Sequence, residues 1–329
     1  MIRTFDEILK AAADNESQTV AVAVAQDAEV LTAIHDARQK DIADAVLIGD
    51  AKEILDIGVR QKIDLSGFKI IDEKDKGKAC LRAVELVSSG KAHILMKGLV
   101  HTSVLLKAAL NKETGLRTGN VLSHVAVFAI KGFDRFIYVT DAAMNIAPDL
   151  EQKKQILENS VAVAHALKNS NPKVAVLAAV EKVNPQMKAT LDAEELVRRY
   201  ENGEITGCVV GGPFALDIAV SAEAAKHKSI QHPVAGKADI LLVPAIEAGN
   251  VLYKSIVYFS GGENAGIVVG AKAPIVLTSR SDTHEAKLNS IAVGVLMARM
   301  KKARGRLKIN DIKNAHYKPR IHIHQNCGI

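Results

Sequence analysis

The strongest constraint in this chain is a repeated alternation, near its start, of short apolar runs with helical patterns. Thr19–Ala25 reads as a strand, and Asp27 then caps a helix over EVLTAIHDARQ. Ala45–Ile48 is a second strand, followed by a helix from Ala51. Phe68–Ile71 leads to a helix through Lys78–Val87, and Ala92–Met96 runs through Lys97-Gly98 into a helix from Ser103 to Leu110. A helix between two strands gives the crossover length that parallel pairing requires, and such units wind with one hand into a parallel sheet. Composition agrees: 48% of residues are apolar but only 4% aromatic, with no Trp. Ala, Val, Ile and Leu suit strands covered by helices on both faces. At 329 residues there is room for one or two such domains.

The pattern changes around Asn111–Asn120. Ser123–Ile130 and Phe136–Thr140 follow closely, separated by Lys131-Gly132-Phe133-Asp134, a β-hairpin spacing. The alternation then resumes. Helices are predicted at Leu150–Leu167, Asp192–Tyr200, Phe214–Ala225, Val251–Tyr258 and Asp282–Met297. Strands are predicted at Val174–Ala179, Gly207–Val210, Ile240–Val243, Gly266–Val269 and Ile275–Thr278. The expected architecture is therefore α/β with two domains and mostly parallel sheets flanked by helices. Residues 1–118 with 282–298 form the first domain, and 119–281 form a second that carries the antiparallel hairpin.

Several function classes are disfavoured. No run of about 18 or more apolar residues marks a membrane span. The N-terminus, Met1-Ile2-Arg3-Thr4-Phe5-Asp6-Glu7, is not a signal peptide. Cys80, Cys208 and Cys327 are scattered and odd in number, which fits a reducing cytoplasm and small buried hydrophobes, without a thiolate metal site. The net charge of +6 belongs to residues 299–329, where nine Lys/Arg face the single acid Asp311 and leave the body at −2. Nothing in the body points to nucleic acid. The basic tail, with His316, His322 and His324 and no clear period, reads as an appendage to the fold.

Four turns carry candidate chemistry. Lys97-Gly98-Leu99-Val100-His101-Thr102-Ser103 lies where a strand ends and a helix begins. Ligands of open α/β sheets bind off strand carboxyl ends, and a helix N-terminus offers free N–H groups to phosphate. Lys97 adds a charge there, and Thr102 and Ser103 add hydroxyls; an ordinary βα turn is the equal alternative. Ser279-Arg280-Ser281-Asp282-Thr283-His284-Glu285 has the same setting. Arg280 presents a fork matched to phosphate oxygens, while Asp282 and Glu285 are proton acceptors or merely cap the helix. Gly211-Gly212-Pro213 allows close backbone approach, and Glu247-Ala248-Gly249-Asn250 precedes a helix carrying Lys254. Neither a dinucleotide fingerprint nor a P-loop is present.

Taken in order, these segments resemble the phosphate acetyl/butyryltransferases. The resemblance runs from Met1 to about Ala298. It rests on Val234-Ala235-Gly236-Lys237-Ala238-Asp239, Ile240–Pro244, Ala248-Gly249-Asn250 and Tyr253-Lys254. Ser279-Arg280 matches the family's serine-arginine motif, Lys97-Gly98 with His101-Thr102-Ser103 its first-domain loop, and Asp141-Ala142-Ala143-Met144-Asn145 its segment after the hairpin. The version Thr-Ser-Arg-Ser-Asp-Thr-His-Glu-Ala-Lys is more similar to the butyryl branch than to the acetyl branch.

That resemblance implies an isocitrate/isopropylmalate dehydrogenase-like fold with the active site between domains. It implies reversible exchange of a short acyl group, butyryl here, between coenzyme A and inorganic phosphate. Coenzyme A is then a substrate, with no cofactor or metal, and the protein is a homodimer or larger assembly. Ser279, Arg280, Asp282 and Glu285 become the catalytic candidates. Lys97, Gly98, His101, Thr102, Ser103, Lys107, Asp141, Gly249 and Asn250 become the substrate-binding ones. Two positions depart from the acetyl branch. Its catalytic Asp lies seven residues after the motif Ser, where this chain has Ala286, and an Arg following the first loop is replaced by Lys107. An acetyl-specific enzyme, a dehydrogenase of the same architecture and a two-lobed ligand-binding protein are the competing readings.

Overall fold

A computed structural model describes residues 1–14 and 17–316, with side chains to 303. Among the described residues eleven strands join in one sheet. The helices in chain order are α1 (Phe5–Ala13), α2 (Ala28–Gln39), α3 (Ala51–Gln61), α4 (Lys76–Ser88), α5 (Thr102–Ala109), α6 (Leu150–Ala166), α7 (Lys188–Glu201), α8 (Leu216–Val220), α9 (Ala222–His227), α10 (Ile246–Ser260) and α11 (His284–His316). The strands are β1 (Gln18–Ala23), β2 (Ala43–Gly49), β3 (Lys69–Asp72), β4 (Ile94–Lys97), β5 (Ser123–Ala129), β6 (Ile137–Thr140), β7 (Lys173–Leu177), β8 (Val209–Phe214), β9 (Ile240–Leu242), β10 (Glu263–Val269) and β11 (Ile275–Val276).

Their spatial order is β3-β2-β1-β4-β11-β10-β5-β6-β9-β7-β8. The first five strands are parallel, as are β6, β9, β7 and β8. The predicted hairpin forms, with Ala126 opposite Val139. The antiparallel β10 lies between β11 and β5 and joins the two halves. The sheet therefore runs unbroken from the expected first domain into the second, at the pairing of β4 with β11.

The two faces of the sheet are covered differently. On one face a single core cluster spans from Val20 and Val22 of β1 to Val174 and Val176 of β7, under α1, α2, α6 and α11. On the other face there are two clusters. Ala21, Leu95, Ile275 and Leu277 pack with α4 and α5; Phe128, Val139, Leu177 and Leu241 pack with α8 to α10. The gap between them is a cleft over the central strands.

Several local expectations changed. Phe5–Ala13 is a helix capped by the Thr4 side chain, an element the chain reading did not mark. The helix expected over Phe214–Ala225 is split. Its first residue, Phe214, ends β8, and Ser221 caps the second piece through the Ala224 N–H. The last helix continues through Ala298 to His316, because no proline interrupts it before Pro319. The start of the basic tail is consequently part of the packing rather than an appendage. Arg299 donates to the carbonyls of Ala11 and Ala12, and Lys301 Nζ to that of Ala271. His322, His324 and Cys327 lie outside the described residues. Cys80 and Cys208 are buried free thiols, pushed up to about 11 by desolvation first.

Candidate active site

Parallel pairing of β4 with β11 sets two strand-to-helix turns side by side. The first begins at Lys97, whose side chain is buried and whose Nζ donates to the Gly98 carbonyl at 3.2 Å. Gly98 presses against β1: a Cβ there would meet the Val24 oxygen at 2.1 Å, so only glycine fits. Two backbone bonds fix the approach, Gly98 N–H to Ala23 O at 2.8 Å and Leu99 N–H to Val24 O at 2.7 Å. His101 precedes α5 without a side-chain cap. The Val104 N–H turns back to the His101 carbonyl at 3.0 Å, so the Thr102 and Ser103 N–H groups are what the start of α5 presents to an anion, with no acid in that turn.

The second turn is organised by Asp282. Its Oδ2 accepts the Ser279 N–H at 2.7 Å, and the carboxylate is buried. Ser279 Oγ and Ser281 Oγ lie 3.0 Å apart. Lys287, also buried, donates to the Asp282 carbonyl. Arg280 projects into the cleft and is exposed.

The third wall comes from the opposite side of the cleft. Asp141, at the end of β6, accepts the N–H groups of Ala143 (2.9 Å) and Met144 (3.0 Å) through Oδ1, and the Asn145 side chain through Oδ2 (2.6 Å). All its acceptor capacity goes into holding the loop that lines the cleft. Gly249 lets α10 close on that loop, since a Cβ would meet the Asp141 carbonyl oxygen at 2.6 Å. Asn250 Nδ2 reaches the Ala142 carbonyl at 3.3 Å. Tyr253 and Lys254 complete the wall, with the ammonium 5.9 Å from the phenol ring centroid.

The result is a cavity of about 320 Å³, at the small end of ligand-site volumes. Lys97, Arg280 and Lys254 converge on it, and among the described residues no Asp or Glu lines it. Val100, Ala142, Ala143 and Leu277 provide an apolar side. Burial first, then the Arg280 charge, pull the Lys97 ammonium below its ordinary value. Burial and the Asp282 charge push the Tyr253 phenol up.

Of the residues singled out in the chain, Lys97, His101, Thr102, Asn250, Ser279 and Arg280 line this cavity. Gly98, Asp141, Gly249 and Asp282 shape its walls from behind. Ser103 and Lys107 do not face it; they line a separate depression with Gly77 and Leu81 between α4 and α5. Glu285 is also elsewhere, exposed beside His284 in a depression lined by Phe5 and Asp36. The reason is helical rotation: Glu285 belongs to the first turn of α11, and that turn carries it away from the strand end. His124 also lines the cavity, without having been a candidate in the sequence. It lies in an apolar strand where a histidine gives no motif, and only the sheet brings it to the cleft.

A cation-lined cleft between two core clusters, with an apolar side beside a guanidinium, defines an α/β enzyme that handles phosphate together with a small apolar group. Comparison with known proteins then fixes the family. Residues 4–80 and 76–295 match the model described as "Phosphate acetyl/butaryl transferase", and the chain belongs to that family. It is 53% identical over 298 residues to the phosphate butyryltransferase of Clostridium acetobutylicum, covering 91% of this chain and 99% of the relative. It is 43% identical to the phosphate acetyltransferase of Thermotoga maritima, over 89% of this chain and all of the relative. A crystal structure of a branched-chain phosphotransacylase from Enterococcus faecalis V583 superposes with a TM-score of 0.77 at 34% identity, covering 85% of this chain and 99% of that one.

Proposed function

We propose that this chain transfers a short acyl group, butyryl first among them, reversibly between coenzyme A and inorganic phosphate. The observation that carries the reading is the convergence of Lys97, Arg280 and Lys254 on a cavity whose lining has no carboxylate. Phosphate sits between the Arg280 fork and the N-terminus of α5, with Lys97 beneath it. One phosphate oxygen attacks the thioester carbonyl. The charge that develops on that carbonyl is met by Arg280, with Ser279 as a hydroxyl donor. The carbon–sulfur bond then breaks, and the thiolate of coenzyme A leaves. Holding both partners in line accounts for much of the rate. Asp282 acts as a positioning residue, because its carboxylate fixes the Ser279 backbone.

The butyryl preference is supported by 53% identity to a butyryltransferase against 43% to an acetyltransferase, and by the apolar side formed by Val100, Ala142, Ala143 and Leu277. The same reading makes coenzyme A a substrate, with no resident cofactor or metal, and the protein cytoplasmic. Among the described residues no helix is long and apolar enough to cross a membrane. The two clusters flanking the cleft support a division into two lobes. A homodimer or larger assembly is supported by α10, where Val251, Tyr258 and Phe259 are 66%, 65% and 89% exposed.

Thiol release from acetyl-, butyryl- and valeryl-CoA, with and without phosphate, tests the proposal. Phosphate-dependent release with the highest kcat/KM for butyryl-CoA is expected. Highest efficiency with acetyl-CoA would make it an acetyl enzyme. No release, together with an absorbance change on adding a nicotinamide cofactor, would make it a dehydrogenase. Binding without turnover would leave a ligand-binding protein.

A further inference from the structure

The transfer has a proton to move. When coenzyme A attacks an acyl phosphate its thiol must lose a proton, and a free thiol has a pKa of about 8.5. The acetyl branch implies an acid seven residues after the motif serine, and Ala286 stands there, buried. Asp282 is occupied by the Ser279 N–H, and Glu285 faces away from the cleft. A different side chain is placed for the task.

His124 is that side chain. It is 5% exposed, yet it lines the cleft with Arg280, Lys97 and Tyr253. Its Nδ1 is buried and has no hydrogen-bond partner among the described residues. Histidine is costly to leave in that state, because a buried polar atom without a partner forfeits its hydration. The fold makes deliberate room for it. On the facing strand β10, Gly266 presents no side chain, and a Cβ there would come within 2.9 Å of His124 Nε2. The Tyr253 ring meets the imidazole edge-on at 6.2 Å, and Thr140 Oγ1 donates to the His124 carbonyl at 2.9 Å, so both ring and backbone are held.

We propose that His124 is the proton acceptor and donor of the acyl transfer. Its neutral ring takes the proton from the coenzyme A thiol as sulfur bonds to the acyl carbon. The bond from that carbon to the phosphate oxygen breaks, and the proton passes on to the departing phosphate. In the opposite direction the imidazole takes the proton of the attacking phosphate and returns it to the leaving thiolate. Burial lowers the imidazole below its ordinary value of 6.5, while Asp141 and Asp282 pull it back up. The other groups around the ring are Tyr253 and Lys254 on α10, and Lys97 and Arg280 across the cleft. The ring is therefore neutral near pH 7 and able to accept.

The inference rests on the proposed acyl transfer, and one experiment separates the two. Wild type, His124→Gln and His124→Ala are assayed for thioester formation from butyryl phosphate and coenzyme A between pH 5 and 9. The expected result is a kcat about 100-fold lower in both variants with KM within about threefold, on the scale of a lost general base. The wild-type kcat/KM profile has an acid limb below pH 6.5 that His124→Gln lacks. Added imidazole restores part of the His124→Ala rate. A wild type that forms no thioester overturns the reaction itself, and this assignment with it. An active wild type whose folded His124→Gln keeps kcat within threefold, or keeps the acid limb, overturns His124 alone. Should neither variant fold, a wild-type profile flat down to the lowest pH at which the protein stays folded overturns it equally.

Discussion

The turn after β4 and the turn after β11 read alike in the chain: a strand, a small residue, a cation, hydroxyls, then a helix. In the structure they are neighbours across one parallel pair, yet they are built in opposite ways. The first is held by backbone alone, through Gly98 against Val24, and its helix starts without a side-chain cap. It offers N–H groups and a buried lysine. The second is held by a side chain, the Asp282 carboxylate on the Ser279 N–H, and its helix is capped through Thr283 Oγ1 to the Ala286 N–H. Its helix end has a first-turn acid, Glu285, so what it offers an anion is the exposed fork of Arg280. One turn is a backbone cradle, and the other is a clamp on a turn braced by a carboxylate.

Breaking the clamp gives the largest effect. Arg280→Ala lowers kcat/KM by roughly 100- to 1,000-fold in the thiol-release assay, the scale of a lost transition-state donor. Arg280→Lys recovers only part of it, because lysine keeps the charge without the fork.

The cradle responds differently. Lys97→Met lowers kcat/KM by about 10- to 100-fold, yet raises the Tm of the ligand-free protein near pH 7. Burial and Arg280 depress the Lys97 pKa in the fold, so the unfolded chain holds that proton more tightly. Folding is then opposed below the folded pKa, and stability returns as pH rises through it toward 10.5. The Tm advantage of Lys97→Met therefore shrinks at alkaline pH. An advantage that stays constant to pH 10.5 would remove desolvation as its cause.

Loosening the brace has a middling effect. Asp282→Ala lowers kcat by about tenfold, and Asp282→Asn by less, since an amide oxygen still accepts the Ser279 N–H. The same substitution lifts no charge from the cavity wall itself, so KM for phosphate moves little. Gly98→Ala is read in stability: forcing a Cβ onto the Val24 oxygen costs about 1–3 kcal/mol in a denaturant melt. The smallest effect is at Glu285, whose replacement by Ala changes turnover by less than about threefold, as for an exposed residue outside the cavity.

Much of this was legible in the chain. The βα alternation, the hairpin over Ser123–Thr140 and the Asp27 cap are local patterns, and local hydrogen bonding and side-chain periodicity decide them. Ser279, Arg280, Lys97, His101 and Thr102 were legible because strand ends followed by helix starts are where anions bind. The exceptions are instructive. Glu285, Ser103 and Lys107 sit within a few residues of true cavity residues, but a helix turns each successive side chain by about 100°, and they leave the cleft.

His124 shows the limit from the other side. The strand Ser-His-Val-Ala-Val-Phe-Ala is apolar on both faces, so alternation does not tell which face the imidazole takes or what lies opposite. The sequence alone determined most of the strands and helices, which turns can bind an anion, and which family's motifs they spell. Only the tertiary structure decided that β11 returns to lie beside β4, joining turns far apart in the chain, and that β10 sets glycine against His124. The physical reason is that strand order and register are chosen by burial of the whole sheet between its helical layers, a cooperative choice that no short stretch of residues encodes.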